Sequence, residues 1–181
     1  YSIMKVYFLD EVTSTNDVIW KLDRKNHEPV ILIARKQSMG KGTRGKHWVS
    51  EEGNFFGSVL HTYKAFPIET LPSYSLLAGI RIVENLQTLG DTKSISLQWP
   101  NDLVVDVGKS YQKIGGILCE SRIQGDSIDL VVGMGVNLQT VPDGTDKPAG
   151  KITIPYYQLC DLFIQNFERP LDLKDIDQFK H

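Results

Sequence analysis

The chain has 181 residues, with 20 lysines and arginines against 22 aspartates and glutamates, a formal net charge of -2. So near-neutral a balance excludes a dedicated nucleic-acid binder, which recruits phosphates with a broad positive field. Apolar residues make up 41% and charged residues 23%, which suits a sizeable core and excludes a disordered tail. No run approaches the roughly 20 apolar residues that span a bilayer, so no membrane role is expected.

Taken in order, residues 4–9 alternate around apolar side chains and predict a strand. Thr13, Ser14, Thr15 and Asn16 then offer N-cap side chains ahead of Val18, Ile19 and Leu22 at helical spacing. Residues 30–34 are a short apolar run, read as a buried strand. Residues 37–50 are rich in glycine and basic side chains and predict a loop, and residues 54–62 a strand. Pro72 lies just inside a helix start, with Leu76, Leu77, Ile80, Val83 and Leu86 as its apolar face and Gly90 near its end. Residues 94–98 predict a strand stopped at Pro100. Gly108 suits a hairpin joining residues 103–105 to 113–123, and Gly125 with Asp126 a turn into a strand over 128–138. A helix is expected over 156–167 and a weaker one from Leu171. Short strands joined mostly by hairpins, with helices between groups, predict an α+β fold: a mixed, mainly antiparallel sheet packed with helices. One domain over residues 1–181 is the simplest division.

Four stretches bear on chemistry. In Gly40, Lys41, Gly42, Thr43, Arg44, Gly45, Lys46, His47 and Trp48, the glycines let backbone N–H groups turn toward an anion. Three basic side chains add charge, and Trp48 offers a face for a purine; a solvated basic turn would read the same way. The stretch nearly matches a P-loop, but His47 replaces the magnesium-binding hydroxyl and no helix pattern follows. No βαβ pattern supports a dinucleotide fingerprint either. Trp99, Pro100, Asn101, Asp102 and Leu103 display Asn101 and Asp102 at a strand start, to orient a ribose, a metal ion or an amine, or simply to turn the chain. Lys113 heads an apolar strand in which Gly115 and Gly116 remove side chains where a flat ligand could lie. Gly133 and Gly135 strip one face of a strand whose Val132, Met134 and Val136 face the other way, and Asn137 follows. Two bare strand faces make a slot; helix packing would also use them.

His27, His47, His61 and His181 are scattered, and Cys119 and Cys160 have no partner at ligand spacing, so no protein metal cluster is expected. Two cysteines suggest a reducing compartment, with Cys119 a small core residue. No nucleophile signature is present. No secretory leader is visible from Tyr1 onward, which gives a cytoplasmic expectation.

In this order, Ser14-Thr15-Asn16, Gln37 with the loop from Gly40 to Trp48, Trp99-Pro100-Asn101-Asp102-Leu103, the strand headed by Lys113, and Gly133 to Asn137 resemble the catalytic domain of biotin protein ligases. The resemblance implies ATP, magnesium and biotin, a biotinyl-5′-AMP intermediate, and transfer to a lysine of a biotin carboxyl carrier domain. It implies that Ser14, Thr15, Asn16 and Gln37 line the ureido pocket. Gly40 and Lys41 would close over biotin and Lys113 would contact its carboxylate, with Gly115, Gly116, Gly133 and Gly135 as bare walls. Lys41, Thr43, Arg44, Lys46, Trp48, Asn101 and Asn137 would serve ATP, and Lys41, Asp102 and Lys113 the chemistry. A homodimer is left open.

The loop departs from the family's usual G-R-G-R at Lys41 and Thr43, and Gln98 stands where a lysine is usual, which predicts weaker retention of the adenylate. A lipoate ligase of the same fold is the near alternative, a P-loop-like NTPase the distant one. A biotin-sensing repressor would need an upstream DNA-binding domain, which is absent from these residues. There is also little room for a small C-terminal β domain.

Overall fold

Residues 3–89 and 94–175 are described by the computed structural model; Gly90, His181 and any helix beyond Asp175 lie outside them. In chain order the elements are β1 (Lys5–Val12), α1 (Thr15–Ile19), β2 (Val30–Gln37), β3 (Phe55–Lys64), α2 (Leu71–Leu86), β4 (Ile95–Gln98), β5 (Asp102–Asp106), β6 (Tyr111–Gln124), β7 (Ser127–Val136) and α3 (Tyr156–Phe167). The strands form one seven-stranded sheet in the order β1-β2-β3-β7-β6-β5-β4. β1 and β2 are parallel, because α1 and the turns after it return the chain to the same end of the sheet. Every other neighbouring pair is antiparallel. The mixed, mainly antiparallel α+β architecture expected from the sequence is borne out.

The apolar run of β2 is continuous because both of its faces are covered. Val30 and Leu32 pack with Ile19, Leu60 and Val131 on the α1 face, while Ile31 and Ile33 join the larger core beneath α2 and α3. Five residues are too few for α1 to hold itself. It is pinned by Ile19, wholly buried, which contributes about 2 kcal/mol. Ser14 occupies its N-cap without a side-chain bond to the helix.

On the other face, α2 buries Tyr74, Leu77, Ala78, Ile82, Val83 and Leu86. Leu76 and Ile80, expected in that face, are only half-buried. The contact line instead runs through Gly79, where an added Cβ would come within 2.6 Å of Leu97 on β4. α3 delivers Phe163, whose ring centroid lies 5.3 Å from Phe55 and 4.8 Å from Phe167. The weaker helix expected from Leu171 is a single 3-10 turn over residues 173–175 as far as the chain is described. With α2 and α3 filling one face and α1 covering only part of the other, the bare centre of β6 and β7 stays open beside α1.

Candidate active site

Strand alternation sorts the glycines. Gly116 of β6 pairs directly with Gly135 of β7, and Leu118 with Gly133. A Cβ at Gly135 would lie 2.6 Å from Trp48 Nε1, and one at Gly116 would lie 3.4 Å from the same indole. Trp48 therefore lies over the two bare strands. Gly133 makes room for Asn16, whose Oδ1 would be 2.0 Å from a Cβ there. Gly115 is a different case and corrects the expectation of a fourth bare wall. One residue from Gly116, it points the opposite way, and its added Cβ would meet Gly135 O at 2.6 Å, with Leu103 and Val136 beyond. It serves close strand approach. Gly40 is likewise buried rather than presented to a ligand, since a Cβ would strike Ser50 Oγ at 2.3 Å and Trp48 O at 2.4 Å.

A cleft is lined by Ser14, Thr15, Asn16 and Gln37 on one side and by Gly116, Leu118, Gly133 and Gly135 on its floor. Lys41, Gly42, Thr43 and Trp48 of the loop and Asn101 complete it. The polar wall is internally bonded. The Thr15 amide and hydroxyl both donate to Gln37 Oε1, at 2.7 and 3.1 Å, and Gln37 Nε2 donates to Ser50 Oγ at 2.8 Å. Ser58 Oγ lies 2.8 Å from Thr15 Oγ1 and 2.6 Å from Asn16 Oδ1, and Asn16 Nδ2 donates to Glu120 Oε2 at 2.7 Å. Such a network fixes donors and acceptors before a ligand arrives.

Trp48 is also a wall of a second cavity, with His47, Lys113, Asn137, Thr145 and Lys147. Asn137 Nδ2 donates to Gly150 O at 3.0 Å, while its Oδ1 is buried without a partner. Trp48 Nε1 is buried and unpaired too. Orphaned buried polar atoms of this kind ask for a ligand. Lys113 Nζ stands 5.3 Å from the Trp48 ring centroid and 2.7 Å from Asp102 Oδ1. Burial opposes ionisation of Asp102, but hydrogen bonds from Lys113 and Lys147 outweigh it and hold the carboxyl below its ordinary value.

The remaining predicted residues are dispersed around these cavities. Lys41 is ion-paired with Asp17 of α1, and Lys46 with Asp146. Arg44 is exposed at the loop tip, at φ +57°, and lines neither cavity. Asn101, expected on the nucleotide side, lines the first cleft and donates to Ile117 O at 2.8 Å. Sequence reasoning missed Ser58, Glu120, Asp17 and Lys147. Only Ser58 carries a signal, as a hydroxyl inside the apolar run of β3. Cys119 and Cys160 are free thiols, and burial pushes Cys119 up to about 12. Neither lines the two cavities.

Comparison with known proteins bears on this arrangement. A family model described as the biotin/lipoate A/B protein ligase family matches residues 8–137. The biotin–[acetyl-CoA-carboxylase] ligase of Paracoccus denitrificans is 32% identical over 137 residues, covering 75% of this chain and 55% of that protein. The bifunctional ligase/repressor BirA of Escherichia coli is 35% identical over 138 residues, covering 74% of this chain and 40% of that one. The chain thus spans less than two thirds of the length of either. The solved structure of biotin protein ligase from Leishmania major in complex with biotinyl-5-AMP superposes with a TM-score of 0.74 at 25% identity, over 90% of this chain and 72% of that one. Since the family match spans more than two thirds of the residues and includes every strand of the two cavities, the chain belongs to the biotin/lipoate A/B protein ligase family.

Proposed function

We propose that the chain catalyses ATP-dependent attachment of biotin to a lysine of a biotin carboxyl carrier domain through biotinyl-5′-AMP. What carries this reading is Trp48, which walls both cavities, with Lys113 in the lining of the second and its Nζ 5.3 Å from the indole centroid. The first cleft, polar at its Thr15–Asn16 end and bare along its glycine floor, suits a bicyclic ureido ring and an aliphatic tail. The second, with the free Asn137 oxygen, suits an adenine that brings an amino group to that acceptor. Their contents would meet at the edge of the Trp48 indole, beside the Lys113 ammonium.

In the first step a biotin carboxylate oxygen bonds to the α-phosphorus, and the bond to pyrophosphate breaks. Both reactants are anions, so the site must supply preorganised positive charge, and Lys113 is the cation placed for it. The indole of Trp48 separates the two ligands except at their reacting ends. In the second step the carrier's ε-amine attacks the acyl carbon, AMP leaves, and the amine gives up a proton. The loop from Gly40 to Trp48 limits access of water to the acyl phosphate while the carrier approaches. The enzyme needs no nucleophile of its own.

Magnesium would arrive on the nucleotide's phosphates. Among the described residues no group of three His, Cys, Asp or Glu side chains stands together, and Asp102 is already engaged by two lysines. Among the same residues no helix is long and apolar enough to cross a membrane. The test is ATP–pyrophosphate exchange with biotin, with lipoate and with neither. Exchange that depends on biotin supports the reading. Exchange that prefers lipoate, or ATP turnover without either acid, overturns it.

A further inference from the structure

Asp102 has two partners, and only one belongs to a predicted motif. Its Oδ1 accepts from Lys113 Nζ and its Oδ2 from Lys147 Nζ, each at 2.7 Å. Lys147 comes from the segment between β7 and α3, 45 residues away in sequence. That segment docks beside β6, where the Lys113 amide donates to Pro148 O and the Gly150 amide donates to Lys113 O, both at 2.8 Å. It is also tied to the glycine-rich loop by the Lys46–Asp146 pair. Lys147 Nζ donates further to Gln98 Oε1 at 3.1 Å, at the end of β4. The amine therefore knots β4, β5 and the segment together at the mouth of the second cavity.

Exposure separates the roles. The Asp102 side chain is 8% exposed, so its charge needs a partner at all times, whereas the Lys147 side chain is 50% exposed. If Lys113 turns to the reacting carboxylate and phosphate, Asp102 loses one of its two bonds. We infer that Lys147 is a positioning residue for adenylate formation: it keeps the Asp102 carboxylate paired, so that Lys113 is free to leave it for the substrates. This rests on the ligase reading of the site. The geometry adds a condition. Nζ sits within bonding distance of both Gln98 and Asp102, so an ammonium grown from position 98 would reach the same carboxylate from β4.

Three variants test this: Lys147→Gln, Lys147→Arg, and Gln98→Lys combined with Lys147→Gln. Biotin-dependent ATP–pyrophosphate exchange is measured at saturating ATP, biotin affinity by calorimetry, and Tm by thermal melting. Lys147→Gln should lower kcat roughly tenfold or more while biotin affinity stays within about twofold. Lys147→Arg and the Gln98→Lys double variant should return kcat to within about threefold of the parent. A merely structural lysine would lower Tm and biotin affinity and would not be rescued by moving the charge to position 98. Parental kcat in Lys147→Gln, or a double variant as impaired as the single one, overturns the role of Lys147 and leaves the ligase reading intact. A parent chain without biotin-dependent exchange overturns both.

Discussion

Gly133→Ala is the sharpest test of the polar wall. The new methyl would lie 2.0 Å from Asn16 Oδ1, 2.8 Å from its Cγ and 3.1 Å from its Nδ2. Asn16 cannot retreat with its helix, because Ile19 is wholly buried against Leu32, Leu60 and Val131. The carboxamide must rotate instead, giving up its contacts with Ser58 at 2.6 Å and Glu120 at 2.7 Å. Asn16 is only 4% exposed, so water does not replace them. Each buried group left unpaired costs about 1–3 kcal/mol, and a total of about 2–4 kcal/mol is expected. For a chain of this size that lowers Tm by roughly 5–15 °C. Asn16→Ala removes the carboxamide and with it the obstruction. The Asn16→Ala, Gly133→Ala pair should then cost little more than Asn16→Ala alone, a coupling of about 2 kcal/mol in urea unfolding. Biotin affinity should fall in both single variants. Additive losses to within about 0.5 kcal/mol, or a neutral Gly133→Ala, would refute this account of the wall.

Other outcomes follow from the same geometry. Lys113→Ala should cut biotin-dependent ATP–pyrophosphate exchange by about two orders of magnitude or more, since it removes the cation beside Trp48 in the second cavity; exchange at the parental rate would count against that role. Thr43→Arg should reduce labelling of bystander lysines by released biotinyl-AMP, because Thr43 lines the cleft without charge; equal labelling would dismiss the leaky loop. His61 is buried, and burial pushes its imidazole down to about 4 against the upward pull of its bond to Phe167 O. The unfolded ring titrates near 6.5 and takes its proton first, so stability should fall as pH drops from 6.5 toward 4, by on the order of 3 kcal/mol in all. His61→Gln should flatten that slope in chemical unfolding; an unchanged slope would remove His61 as its source.

The sequence alone determined what depends on neighbours within one or two turns of chain. α3 occupies Tyr156–Phe167 as its apolar spacing predicts, and the stripped face of Gly133 and Gly135 follows from period-two alternation. The same alternation already forbade Gly115 and Gly116 from sharing a face, a local rule that the expected motif overlooked. Tertiary structure decided which distant groups meet. Ser58 and Glu120 brace Asn16, and Lys147 shares Asp102 with Lys113, only because the sheet order sets β7 between β3 and β6 and because the segment after β7 folds back along β6. Hydrophobic periodicity reports burial of a residue's own side chain. The partner of a charge is set by topology, and no local pattern around Lys147 encodes it.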